Sequence, residues 1–515
     1  MKLKELNLSK YQSEGIFELS IISGIKVLVY PKSVIKHDGV QLFIAKMDNE
    51  KFLFIVAPSK RNKIYQKFDG KREFDINNLF LKACPLVTKN RMIVQLFLPF
   101  TRPQLIGRQD SFGFGDRLGL ANPGHLKALS GSHFMPILAQ QSIREMIRTH
   151  RLPEEVMDAA VWAILQEGYQ GGFGADADHL KTTEDIDQMV KAGFTMFTID
   201  PGDFVDNQVD HLNLPELELK MDQIPWEGLD DSRDFLEKRY LDKKFRVAGD
   251  LILHPLKSDL YRALLKYGHA LVHIQKMAMH LLLKYPQYPS EIEISVDETE
   301  SVTSPFEHFF FANELKRLKV PFISLAPRFI GKFEKGIDYQ GNTQLFSDEY
   351  IKHIKIAQFF GTYKLSLHSG SDKFIVYKII GSLKQGYIHV KTAGTSYLEA
   401  LKVLALKEPN LFRKILDFSR GIYETEKESY HVSATLSKVP AGNACSDQDL
   451  LNLFHDNNAR QVLHVTFGRV LTAEKSDGAY LFRDDIINFL KIHESTYDQL
   501  LVEHFRRHLA PFDTE

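Results

Sequence analysis

Short apolar runs between turn-forming residues dominate the first hundred positions. Ile25–Tyr30 and Phe52–Ala57 are the clearest, and they predict a strand-rich region over residues 1–105. From about Arg108 the pattern changes, and apolar runs of strand length alternate with longer stretches of helical periodicity. The predicted strands are Phe134–Gln140, Phe194–Asp200, Ile292–Asp297, Phe322–Ala326, Tyr363–His368 and Tyr387–Lys391. The predicted helices are Ser142–Gln166, Asp259–Lys284, Pro305–Leu318, Ser347–Phe360 and Ser396–Leu406. In Asp259–Lys284 the residues Leu264, Val272, Ile274, Met277 and Leu281 recur at helical spacing, so that helix should bury one face. Strand and helix in alternation imply right-handed crossovers and a parallel sheet. The expected α/β fold is a (β/α)8 TIM-type barrel over residues 106–406, with an open doubly wound sheet as the competitor. Residues 407–515 read as a mostly helical extension that ends in a helical segment, Asp484–Leu509, and holds one strand-like run, Gln461–Phe467.

In a parallel α/β fold the reacting groups gather where strands end. Here those ends are polar. The Phe134 strand runs into Gln140 and Gln141, the stretch from Gly172 to Ala177 into Asp178 and His179, the Phe194 strand into Asp200, and the Phe322 strand towards Arg328. Period-two alternation sharpens the picture. With Ile292, Ile294 and Val296 facing the helices, Glu293, Ser295 and Asp297 point into the barrel. The same parity places Ser366 and His368, and likewise His389 and Lys391, inside. A lone interior histidine is usually a satisfied core residue. His179, His368 and His389 beside carboxylates instead suggest a divalent cation, because unpaired buried charge is expensive. Imidazole and carboxylate ligands without thiolates suit Zn, Mn, Ni, Co or Fe, with no preference legible among them.

Composition narrows the function classes. The 515 residues carry 65 Lys plus Arg against 66 Asp plus Glu, a formal charge of −1, so no basic field exists to hold nucleic acid or an anionic membrane. The two cysteines, Cys84 and Cys445, form no CxxC pattern, which argues against a disulfide framework and a thiolate zinc site. The N-terminus MKLKELNLSKYQSEG lacks an apolar core of signal-peptide length, and the early apolar runs are too short to span a bilayer, so a cytoplasmic location is expected. Assembly into a homo-oligomer stays open. Gly113, Gly115 and Gly119 miss the spacing of a dinucleotide loop by one place, so no NAD is expected. The run Gly171-Gly172-Phe173-Gly174 lacks the Gly-Lys-Ser/Thr of a phosphate loop. Its glycines are expected to permit a tight approach at the barrel mouth.

The polar strand ends lie within longer motifs: SFGFGDRLGLANPGHLKAL (111–129), AQQSIRE (139–145), GFGADADHLK (172–181), GFTMFTIDP (193–201), EISVDETESVTSP (293–305), FIGKFEKGIDYQG (329–341), LSLHSGSDKF (365–374), HVKTAGTSYLEAL (389–401) and RQVLHVTFG (460–468). In these motifs, from about Ser111 to the C-terminus, the chain resembles the tagaturonate epimerases, also called tagaturonate/fructuronate epimerases. The resemblance implies a metal-dependent, cytoplasmic enzyme of bacterial hexuronate catabolism. Its substrates would be D-tagaturonate and D-fructuronate, 2-ketohexuronates that differ only at C4. It further implies Asp178 as proton acceptor, Glu293 as proton donor, and His179 and His368 as metal ligands. Strand parity adds His389 as a third ligand. Arg328 and Lys391 are candidates for the substrate carboxylate, and Gln141 for its hydroxyls by position alone. The C4 hydrogen lies β to the ketone and is not acidic. Epimerisation therefore requires either transient oxidation, which needs a hydride acceptor that no dinucleotide loop here provides, or retro-aldol cleavage and reclosure of the C3–C4 bond, which a divalent ion and the paired acids Asp178 and Glu293 suit and which is the expected route. Two alternatives stand beside this: an isomerase or aldolase of a neutral ketose such as tagatose or fructose, and a non-catalytic sugar-binding scaffold.

Overall fold

The apolar runs of the first hundred residues pair with one another. In a computed structural model describing residues 15–22, 25–76 and 78–513, they form a seven-stranded antiparallel sheet. Its strands are β1 (Phe17–Ile22), β2 (Ile25–Val29), β3 (Ile35–His37), β4 (Val40–Met47), β5 (Glu50–Ala57), β6 (Arg72–Ile76) and β7 (Leu79–Pro85). The order is β1-β2-β4-β5-β7-β6, with β3 pairing β4. Alternation in β4 sends Leu42 and Ile44 to a face that packs on Trp162 and Leu165 of the helix Pro153–Glu167. Polar contacts tie the sheet to the C-terminal helix Glu494–Leu509: the Tyr30 hydroxyl donates to Glu494 at 2.7 Å and the Lys51 ammonium at 2.6 Å.

The second architecture is a closed barrel. Its strands are β8 (Ser111–Phe114), β9 (Met135–Ser142), β10 (Gly174–Leu180) and β11 (Met196–Ile199), then, after a small hairpin of β12 (Phe245–Ala248) and β13 (Leu251–Leu253), β14 (Glu291–Val296), β15 (Ser324–Pro327), β16 (Lys364–Leu367) and β17 (Tyr387–Thr392). All eight barrel pairings are parallel, and β17 closes on β8 with His389 opposite Ser111. An open doubly wound sheet is thereby excluded, since closure leaves no edge. The first barrel strand hides in a glycine-containing stretch that resembles a loop. Gly115, just past it, lets the chain approach the β17 end closely: a Cβ there would lie 2.6 Å from the Thr392 carbonyl oxygen. After the barrel the chain is mostly helical, from Thr395–Lys407 through Glu494–Leu509, with one isolated β-bridge between Glu474 and Tyr480. No helix among the described residues is long and apolar enough to cross a membrane.

Several expectations are corrected. Ser142–Gln166 is two helices, Ile143–Thr149 and Pro153–Glu167, because His150 adopts a left-handed backbone (φ 51°) and Pro153 starts a new first turn. The strand-like run Gln461–Phe467 lies largely in the helix Asn457–Val465. Gln461 to Phe467 are all buried there, so no polar face marks the helical period. The Gly171–Gly174 run sits at the base of the barrel, not at its mouth. Gly172 presses on Gln104, and Gly174 opens β10 against Ile106. The first fourteen residues, on which the absence of a signal peptide was expected, lie outside the described residues.

Candidate active site

The carboxyl ends of the barrel strands open into a cleft of about 440 Å³, within the range of small-molecule sites. Arg144, Asp297, Arg328, Lys335, His368 and Tyr430 border it. A narrower recess shares Arg144, Asp297, Lys335, His368 and Tyr430 with the cleft and adds Gln140, Asp178, His179 and Lys391. None of the lining residues comes from the N-terminal sheet, whereas Tyr430 comes from the helical extension. The expected site residues thus meet at one place, with three exceptions described below.

Asp178 and His179 are sequence neighbours, so strict alternation would send them to opposite faces of β10. The register of β10 with β11 shifts between Ala177 and Leu180, and His179 takes a left-handed backbone (φ 54°). That irregularity brings both side chains to the cleft. A non-glycine residue in this region costs about 1–2 kcal/mol, which the surrounding contacts must offset. Asp178 Oδ1 accepts from His179 Nδ1 at 2.7 Å and from Lys391 Nζ at 2.7 Å. Its Oδ2 meets Gln140 Nε2 at 3.4 Å. The His368 ring lies 5.0 Å from that of His179, centroid to centroid. His368 is held by Glu293 at 2.6 Å through Nε2 and faces Asp297 at 3.1 Å through Nδ1.

Lys391 is the hub beneath the recess. Its ammonium lies 2.8 Å from Asp176, 2.7 Å from Asp178 and 2.7 Å from Glu293, and it donates to Thr198 at 2.8 Å. Burial alone would strip its proton; the three carboxylates hold its pKa well above the usual lysine range. Burial pushes Asp176 up to about 6, with Lys391 offsetting only part of that. Burial also opposes the charges on Asp178 and Glu293. The nearby cations outweigh it, His179 and Lys391 for Asp178 and Lys391 and His368 for Glu293, and both acids stay well below their ordinary range. His179 resists burial through Asp178, with Asp200 and Glu298 adding to it, and its imidazole rises to about 10.

The group Asp178, His179 and His368 has ligand atoms within 4.8 Å of one another, contains no thiolate, and sits beside Asp297 and Glu298. That donor set fits a divalent cation, which would balance the surplus of buried carboxylate. His389 does not join it. In the β16–β17 register His389 lies opposite Ser366, one layer below His368, and it groups with Asp176 and Glu293 instead. Its Nδ1 meets the Ser111 hydroxyl at 3.0 Å, its Nε2 has no hydrogen-bond partner, and burial lowers its pKa to about 3. Gln141 is also elsewhere. Asp176 pairs with Gln140 and Ala177 with Gln141, so Gln140 shares the inward parity of Asp176 while Gln141 points outward and meets Arg151. Glu293 is fully buried behind His368 and Lys391 and does not border the cleft. Arg328 reaches the outer cleft, where its guanidinium donates to the Asp297 carbonyl at 3.3 Å. Period-two alternation, applied to GADADH and MPILAQQS, would have flagged Asp176 and Gln140. No local signal points to Tyr430.

A family model described as tagaturonate epimerase matches residues 30–512. The tagaturonate/fructuronate epimerase of Thermotoga maritima is 41% identical over 481 residues, covering 93% of this chain and 96% of that protein. The native crystal structure of fructuronate-tagaturonate epimerase from Cohnella laeviribosi is 40% identical with a TM-score of 0.87, covering 94% of this chain and 96% of that one. A glycerol-complexed structure of that protein has a TM-score of 0.87 at 39% identity over the same shares of the two chains.

Proposed function

Since the chain belongs to the tagaturonate epimerase family, we propose that it is an isomerase of hexuronate catabolism that interconverts D-tagaturonate and D-fructuronate by inverting C4. The observation that carries this reading is the convergence of Asp178, His179 and His368 on one recess, with Lys391 and Glu293 directly beneath. A binding scaffold has no need for so many buried ionised groups around its ligand.

His179 and His368, with Asp178 beside them, would hold the divalent cation; once bound, it supplies Lewis acidity to the oxygens at C2 and C3 of the sugar. The remaining work falls to the chain's own residues. Asp178 Oδ2 carries the one weak contact to Gln140 and can take the proton of the 4-hydroxyl. As that proton leaves, the C3–C4 bond breaks. Its electron pair passes to C3 and the C2 oxygen, and C4 becomes an aldehyde. After the aldehyde turns its other face, C3 attacks it and the new C4 oxygen takes a proton back. Lys391 borders the recess and touches both acids, so its ammonium can give the proton to the new C4 oxygen and recover the one that Asp178 took, while Glu293 holds it in place. This replaces the expectation that Lys391 grips the substrate carboxylate, because its ammonium already faces three. Arg328 is free to draw the acid into the outer cleft. Glu293 also orients His368 through Nε2, which leaves Nδ1 toward Asp297.

The deciding assay mixes purified protein with D-tagaturonate and follows fructuronate by NMR, before and after chelation. Turnover is expected, with loss on chelation and recovery with at least one of Zn, Mn, Ni, Co or Fe. Full activity in a protein shown to be metal-free would remove the cation from the reading. The bond-breaking route is tested separately. Labelled dihydroxyacetone, the C1–C3 fragment, should exchange into the product pool, and C4-deuterated substrate should show no large primary isotope effect. The opposite pair of results would favour transient oxidation at C4.

A further inference from the structure

A 2-ketohexuronate differs from a neutral ketose by the carboxylate at C6, so some cation in the cleft must tell the two apart. Seven lysines and arginines border the site: Arg117, Arg144, Arg328, Lys332, Lys335, Lys373 and Lys391. Most are committed. Lys391 faces three carboxylates. Lys373 donates to the carbonyls of Glu334, Ile337 and Ser371 at 2.8, 2.5 and 2.9 Å. Arg117 is paired with Glu145 at 2.8 Å and its guanidinium carbon lies 3.5 Å above the centre of the Phe467 ring. Arg144 is paired with Glu298 at 3.4 Å. Arg328 and Lys332 border only the outer cleft, and Lys332 is exposed.

Lys335 is different. It borders both the cleft and the recess. Its ammonium donates to the Ser369 hydroxyl at 3.3 Å, and among the described residues it forms no ion pair within 4.0 Å. The backbone around it is pinned from both sides. The neighbouring Glu334 carboxylate accepts from Ser433 at 2.5 Å and from Gln461 at 2.9 Å, and the Gly336 carbonyl accepts from Arg460 at 2.7 Å. Gly336 turns there with φ +74°, against His464. The half-buried lysine thus stands on a fixed segment, two residues from Phe333 in the cleft wall and adjacent through Ser369 to His368.

We propose that Lys335 is the residue that selects a uronate: its ammonium binds the C6 carboxylate while C2 to C4 lie over Asp178, His179 and His368. The inference rests on the uronate reading above and names the group within that site that enforces it. A lysine with a merely structural role would act on acidic and neutral ligands alike.

The test uses the full-length protein with Lys335→Met, which keeps the stem and removes the charge, and Lys335→Arg, which keeps the charge. Lys335→Met should raise KM for tagaturonate about 10- to 100-fold, the worth of one charge-assisted hydrogen bond, with kcat within about threefold of the parent. Lys335→Arg should recover most of that loss. The inhibition constant of neutral D-tagatose should not move. Unchanged KM in Lys335→Met overturns the proposal. So does an equal weakening of tagatose, or a larger KM rise in Arg328→Gln than in Lys335→Met. Absence of tagaturonate turnover by the unmodified protein refutes both the uronate reading and this assignment; turnover with an indifferent Lys335→Met refutes the assignment alone.

Discussion

Asp178→Asn is expected to lower kcat for tagaturonate by about 10²- to 10⁴-fold, the usual worth of a positioned general base, and to leave the fold standing. Asparagine keeps the shape of the side chain but cannot take the 4-hydroxyl proton. The fold should survive because Lys391 keeps Asp176 at 2.8 Å and Glu293 at 2.7 Å, so its ammonium is still balanced. His179 loses the carboxylate that holds its pKa near 10 despite burial. Asp178 also belongs to the group that fits a cation, so metal content is measured alongside turnover and circular dichroism. A variant that is folded and metal-loaded, with kcat within tenfold of the parent, would remove Asp178 from the chemistry.

Lys391→Met is expected to be the most damaging single substitution for stability. It leaves Asp176, Asp178 and Glu293 without the cation that all three touch, in a region where Asp176 and Glu293 are fully buried. Breaking a buried ion pair by removing one partner costs about 3–5 kcal/mol. The loss should depend on pH, with a definite sign. Without Lys391 the folded-state pKa of these acids rises, so the penalty is present in full above that pKa and relieved as pH falls through it. Asp176, which burial raises to about 6 even with Lys391 in place, should take up a proton first. Denaturant unfolding at pH 8 and at pH 5.5 should therefore show a larger gap between Lys391→Met and the parent at pH 8. A gap that is equal at both, or larger at pH 5.5, would mean that the lysine serves packing more than charge balance.

These two expectations draw on residues of different legibility. Glu293, His368 and Lys391 could be assigned to the barrel interior from period-two alternation, since each strand shows apolar residues on one parity and polar ones on the other. Asp176 and Gln140 follow the same rule. Gln141, proposed from position alone, breaks that rule and points out of the site. His179 is the opposite case: alternation would have turned it away, and a bulge with a left-handed residue brings it in. His389 obeys parity but lies one layer too deep, because parity fixes the face of a strand and not the height along the barrel. The run Gln461–Phe467 reads as a strand because every one of its residues is buried and no polar stripe marks the helical period, and β8 goes unpredicted because its SFGF sequence runs straight into a glycine-containing loop.

Side-chain periodicity and composition were enough to give the alternation of strands and helices, the inward parity of the acids and histidines, and the near-neutral net charge. Those are local or additive properties, set by side-chain periodicity and composition. The tertiary structure alone decided barrel closure, the layer at which each inward side chain stands, and which cations remain uncommitted around the cleft. Each of these depends on register between strands far apart in the chain, or on segments such as 429–433 and the C-terminal helices that return to the barrel from the far end. No local pattern encodes a distance between residues separated by hundreds of positions; only the packed chain specifies it.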